Sequence, residues 1–91
     1  MITITVLCEN TVGAPGLLAE HGLCFYIETK SGCYLFDTGQ GKTLVYNAKS
    51  LKKDLSKINK IFLSHSHYDH TGGLKQVLRY CRYVEIVKKH N

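Results

Sequence analysis

A run of three apolar residues, Ile61-Phe62-Leu63, passes directly into Ser64-His65-Ser66-His67-Tyr68-Asp69-His70, and no other stretch restricts the fold of this chain so strongly. Apolar β-formers of that length read as a short buried strand. At the end of a strand, residues i and i+2 point the same way, so His65 and His67 can chelate one cation. Asp69 and His70 lie in the turn beyond, where the backbone changes direction, and can face a second cation close by. Neutral imidazole and carboxylate are ligands that zinc, iron or manganese accept. Two such ions about 3.5–4 Å apart can activate water between them and polarise a substrate. Gly72 and Gly73 remove side chains just past the ligands and allow close approach. The opposing interpretation, an exposed histidine-rich loop without metal, leaves this spacing unexplained.

The chain has 91 residues, which allows one domain, 1–91, and no second. A domain of this size buries only about 60–65% of the surface its unfolded form exposes, so a metal or a partner would strengthen a thin core. Hydrophobic residues make up 44% and charged residues 21%, and there is a single proline. Those values exclude a disordered tail and a collagen-like repeat. No apolar stretch is long enough to span a membrane, and Met1-Ile2-Thr3-Ile4-Thr5 has no secretory pattern. The cysteines at 8, 24, 33 and 81 never form C-x-x-C, which argues against a zinc ribbon or a redox dithiol. Three of them fall in strand-like runs, as buried thiols of a cytoplasmic protein do. Part of the net charge of +5 is concentrated at Lys49, Lys52, Lys53, Lys57 and Lys60, opposed only by Asp54. This is the pattern of a solvated helix face, and a phosphate-binding patch is the alternative.

Ile2, Ile4, Val6 and Cys8 alternate with Thr3, Thr5 and Leu7 and predict a strand. Residues 9–22 read as a loop. Leu23 to Thr29 and Cys33 to Phe36 predict two strands, joined at Lys30-Ser31-Gly32 by a tight hairpin. Leu44, Ala48, Leu51, Leu55 and Ile58 recur at helical spacing, with an interruption near Ser50. Thr71 is placed to cap a helix over 72–80, and Tyr83 to Val87 predicts a last strand. The order β-β-β-α-β-α-β predicts an α/β (α+β) fold, a mixed sheet with its helices on one face.

The segment Ile61 to Leu74, with its H-x-H-x-D-H core, resembles the metal-binding signature of the metallo-β-lactamase-fold hydrolases. Tyr34-Leu35-Phe36-Asp37-Thr38-Gly39 resembles the other N-terminal landmark of that family. With the strand order, the resemblance covers nearly the whole chain. Leu17-Leu18-Ala19-Glu20-His21-Gly22-Leu23 and Phe36-Asp37-Thr38-Gly39-Gln40 are also similar to the branch around dihydropterin-linked aminobenzene-phosphate synthase. The resemblance implies that His65 and His67 serve a first metal and Asp69 and His70 a second, with Asp69 the catalytic member of the set. It implies up to two divalent ions, zinc foremost, and a carboxylate at Asp37 that orients the ligand loop. A strand-end aspartate that merely accepts backbone N–H groups is the plainer role for Asp37.

Members of that family are typically well over twice this length, built from two facing β-α halves. The second half brings another histidine for the first metal, a bridging aspartate and a last histidine for the second. These 91 residues contain none of them, since His21 and His90 sit in no matching context. The sequence thus reads as the N-terminal half of an αββα sandwich, whether a natural truncation, a gene fragment or an expressed piece. Three functions follow in order of preference. The first is a metal-dependent hydrolase-type domain acting on an unspecified small molecule, catalytically incomplete in isolation. The second is a non-catalytic metal-binding or assembly module that pairs with itself or with a complementing C-terminal half, because a missing half would uncover an apolar sheet face. The third is nucleic-acid binding through the lysines, disfavoured because residues 49–60 interleave no aromatic platform.

Overall fold

The computed structural model describes residues 1–9, 16–20, 22–64 and 67–88, apart from the side chains of Tyr68 and Asp69. Five strands form one sheet in the order β1-β2-β3-β4-β5: β1 Thr3–Cys8, β2 Cys24–Glu28, β3 Cys33–Phe36, β4 Ile58–Leu63 and β5 Glu85–Lys88. The first three are antiparallel neighbours, whereas β3, β4 and β5 run parallel. Helix α1 covers Leu44–Ser50, a 3-10 turn covers Leu55–Lys57, and α2 (Tyr68–Thr71) and α3 (Leu74–Leu78) precede β5. The expected mixed α/β architecture is the one observed.

The period-two alternation decides which face is buried. Cys24, Tyr26, Leu35, Ile61 and Leu63 point to the helical side and join Leu44, Ala48, Leu55 and Val77 in one core. Phe25, Ile27, Tyr34, Phe36 and Phe62 point to the other side and stay only half-buried. Register carries a continuous row across the sheet there, Val6–Phe25–Phe36–Phe62–Val87. Phe25 stacks on Phe36 at a centroid distance of 6.3 Å, and Tyr34 meets Phe62 edge-on at 6.1 Å. No described helix covers this face. Ile4 and Val6 belong to it and are 61% and 40% exposed.

β1 therefore does not bury the apolar set its alternation suggested. A register shift between Val6 and Cys8 places two residues against one step of β2, a bulge that turns the strand locally. Leu7 and Cys8 both enter the core as a result. Asn47 of α1 secures the same region. Its Nδ2 donates to Leu7 O and Leu18 O, and its Oδ1 accepts from Leu18 N.

The interruption expected near Ser50 is a left-handed residue, Lys52, at φ 57°. Lys52 N–H donates to Lys49 O and Lys53 N–H to Ala48 O, the pairing that closes a helix when a residue adopts this conformation. Three sequence boundaries move. β4 starts at Ile58 rather than Ile61, the last strand is Glu85–Lys88 rather than Tyr83–Val87, and α3 starts after Gly73. Thr71 is not its cap, because the Thr71 hydroxyl turns back to His67 O at 3.2 Å. The lysine run is partly neutralised: Lys53 pairs with Glu28 at 2.7 Å and Lys60 with Glu85 at 3.6 Å. No helix among the described residues is long and apolar enough to cross a membrane.

Candidate metal centre

β3 and β4 are parallel neighbours, so their C-terminal ends open on the same edge, where α/β sheets commonly hold their sites. β3 runs out into Asp37-Thr38-Gly39 and β4 into Ser64 and the histidine segment. The two exits are tied together. Asp37 N–H donates to Phe62 O at 2.8 Å, which holds the Asp37 backbone at the end of β4. Asp37 adopts φ 58° and Gly39 φ 63°, conformations that aspartate tolerates and glycine favours. A Cβ on Gly39 would also stand 2.7 Å from Cys8 Sγ.

This turn aims a wholly buried carboxylate at the histidine segment. Asp37 Oδ1 accepts from Ser64 N–H at 2.8 Å, and Oδ2 accepts from Ser64 Oγ at 2.7 Å. The same Oδ2 lies 2.6 Å from His70 Nδ1. Burying a carboxylate is costly unless its oxygens are bonded, and here three partners bond them. With Nδ1–H donated to Asp37, a neutral His70 ring carries its lone pair on Nε2. Carboxylate–imidazole pairs of this kind fix the tautomer and ring direction of metal-binding histidines. The donor chemistry at His70 thus fits a divalent cation.

The backbone around His70 is equally constrained. His67 O accepts from His70 N–H and Thr71 N–H, which winds residues 68–71 into the single turn of α2. The sequence placed Asp69 and His70 in an irregular turn; four residues were too few to show a helical period. Thr38 N–H donates to His70 O at 2.7 Å, and Gly73 N–H reaches Gly39 O at 3.0 Å. A Cβ on Gly73 would collide with Thr38 O, so the close approach expected of this glycine is made by the backbone of β3's exit. The following loop is held by Glu20, whose carboxylate accepts from Gln40 N–H, Lys42 N–H, Thr43 N–H and Thr43 Oγ1. Those donors lie at the start of α1, where a negative charge is favourable.

Of the sequence-predicted ligands, His67 is exposed and His70 is half-buried against Asp37. His65 and the Asp69 side chain lie outside the described residues, as do His21 and His90. Among the described residues, no three His, Cys, Asp or Glu side chains gather as a metal group. Sequence reasoning passed over Ser64, Thr38 and Glu20. The available signal was a hydroxyl residue at each strand exit, next to the acid and next to the histidines. A shallow hollow of about 360 Å³ lined by Phe36, Phe62, Leu63, Ser64, Val87 and Lys88 opens beside Ser64.

Comparison with known proteins bears on the family and the fold. Residues 18–91 match the profile of the Metallo-beta-lactamase superfamily. The chain is 37% identical over 84 residues to the 7,8-dihydropterin-6-methyl-4-(beta-D-ribofuranosyl)-aminobenzene-5'-phosphate synthase of Methanocaldococcus jannaschii, covering 86% of this chain and 29% of that protein. The structure of the short form of human tRNase Z superposes with a TM-score of 0.64 at 26% identity, over 86% of this chain and 28% of the other. The dizinc quorum-quenching lactonase AidC superposes at 0.54 with 31% identity, over 65% and 24%. The chain spans less than a third of the length of each.

Proposed function

As the chain belongs to the metallo-beta-lactamase superfamily, we propose that it supplies the N-terminal metal-binding half of a metal-dependent hydrolase. The observation that carries this reading is the Asp37–His70 contact at 2.6 Å, the carboxylate–imidazole pairing that orients metal-binding histidines. In this reading His65 and His67 hold a first divalent ion, and Asp69, the catalytic carboxylate, holds a second with His70. Zinc is the first choice, with iron or manganese next; the dizinc lactonase among the structural neighbours supports that order. A divalent ion at such a site supplies Lewis-acid activation of water and substrate.

The protein's own contribution is orientation. Ser64 fixes the Asp37 carboxylate, Asp37 fixes the His70 ring, and the paired strand exits fix both. Two ligands per ion fall short of the three protein ligands usual at catalytic zinc, so the 91 residues alone are proposed to bind metal and to turn over poorly. The substrate class assigned here is a small molecule. The thiols at four positions support a reducing, cytoplasmic setting. Metal analysis after extensive dialysis tests the reading. Retained zinc, iron or manganese that is lost in His65→Ala/His67→Ala is expected; a metal content equal in the two proteins would overturn it.

A second reading, an assembly module, is favoured by the open row Val6–Phe25–Phe36–Phe62–Val87. An apolar sheet face of this breadth calls for a cover. We assign the cover to a complementing C-terminal half, since the relatives are more than three times longer than the matched region. A second copy would add no ligands beyond His21, His90 and the motif itself. Sedimentation is the test. Capture of a separately produced C-terminal half by the 91-residue chain supports the assignment; tight self-association with no such capture contradicts it.

A further inference from the structure

The Thr38 side chain stands between two helix ends. Its hydroxyl donates to His70 O at 3.0 Å and accepts from Gly73 N–H at 3.0 Å. Thr38 is fully buried. His70 O belongs to the last turn of α2, and Gly73 N–H is at the start of α3; both are groups that helices leave without internal partners. A hydroxyl is the smallest side-chain group that donates and accepts at once, and this one bridges the two ends. Gly39 O is a longer alternative acceptor for it at 3.4 Å and also shares the Gly73 N–H at 3.0 Å. The Thr38 backbone N–H adds a second bond to the same His70 carbonyl at 2.7 Å. Residue 38 follows Asp37, which grips the ring of that histidine. Consecutive residues of one turn therefore hold His70 at its ring and at its main chain.

We infer that Thr38 is a positioning residue for His70, fixing the main chain from which the Asp37-oriented ring reaches the second metal. The inference rests on the metal-binding reading above. A ring held only at Nδ1 could still swing with its backbone, and about 1 Å of misplacement is enough to spoil a reactive geometry. Thr71, the obvious hydroxyl for the α3 terminus, is turned to His67 O, so the side-chain bond to Gly73 N–H comes from Thr38, which shares that N–H with Gly39 O.

Zinc affinity separates this role from general support of the fold. The second position is isolated in a His65→Ala/His67→Ala background and the first in an Asp69→Ala background. Thr38→Val, which keeps the shape and removes the hydroxyl, is expected to weaken zinc at the second position by about tenfold. It should leave the first position little changed, and Thr38→Ser should restore the second. Should Thr38→Val not fold by circular dichroism, Thr38→Ala is measured in its place. Equal weakening at both positions, or no weakening at either while the parent chain binds zinc, overturns the inference alone. A parent chain that binds no zinc overturns the metal reading and this inference with it.

Discussion

Asp37 and His70, 33 positions apart, meet through Oδ2 and Nδ1 at 2.6 Å, and the carboxylate is fully buried while the ring is not. A carboxylate in this position favours the proton on Nδ1, the tautomer in which Nε2 is the ring's ligand nitrogen. Asp37→Asn exchanges an acceptor for an amide donor without changing shape. His70 Nδ1 must then accept, and its proton moves to Nε2. Zinc affinity is expected to fall about 10–100-fold, as measured by competition with a chromophoric chelator. Asp37→Ala also strands Ser64 N–H and should cost about 2–4 kcal/mol of stability in urea.

Lys52 closes α1 in the left-handed region at φ 57°, which costs a residue with a Cβ about 1–2 kcal/mol. Glycine avoids that cost and loses part of the gain to chain entropy. Lys52→Gly is expected to stabilise the fold by about 0.5–1 kcal/mol, read from the urea midpoint at constant slope. A destabilised variant would contradict the assignment of this turn.

Much of the architecture is legible in residue patterns because those signals are local. The two-residue alternation of Cys24 to Glu28 and the apolar Ile61–Leu63 run set strands, and the motif's place after a strand set the site at an exit. Other features depend on contacts that only the assembled chain makes. The bulge between Val6 and Cys8 puts Cys8 on the opposite side of the sheet from Ile4 and Val6, yet it leaves no mark in an alternating apolar run. The bonds from Ser64 to Asp37 and from Thr38 to His70 and Gly73 join residues 27 to 35 positions apart. A serine and a threonine in a polar loop carry no periodic signal of such partners.

Asp54 opens the 3-10 turn that leads into β4. The Ser56 hydroxyl and then the Ser56 N–H, both bonded to Oδ1, hold its carboxyl below the usual range. A depressed acid contributes stability above its unfolded value of about 3.9, and that stability is lost as pH falls through the folded value. The difference in urea midpoint between the native chain and Asp54→Asn should be constant above about pH 5 and close as the pH drops below about 4. A difference that persists to the acid limit would contradict the assigned bonds.

Burial pushes the Cys24 thiol well up, with the neighbouring Cys8 adding to the effect, and burial also raises Cys33 and Cys81. Since the thiolate is the reactive form, alkylation of the native protein near pH 8 should be slow. Cys81, the only one of the four thiols that is not buried, should react first, and Cys24 only on unfolding. These raised acids stabilise the fold below their unfolded value of about 8.5 and lose that contribution as pH climbs through the folded values. Mass spectrometry of time-resolved alkylation checks the order; early modification of Cys24 would contradict it.

Nitrogen-15 spectroscopy of the histidine rings during zinc addition reads the His70 tautomer and its metal contact together. His70 is expected to carry its proton on Nδ1 before metal is added. On titration its Nε2 resonance should move to the metal-bound position while the Nδ1–H signal to Asp37 persists, and His65 and His67 should shift as well. Zinc that leaves the His70 ring signals unchanged, or that binds through Nδ1 and displaces Asp37, would contradict it.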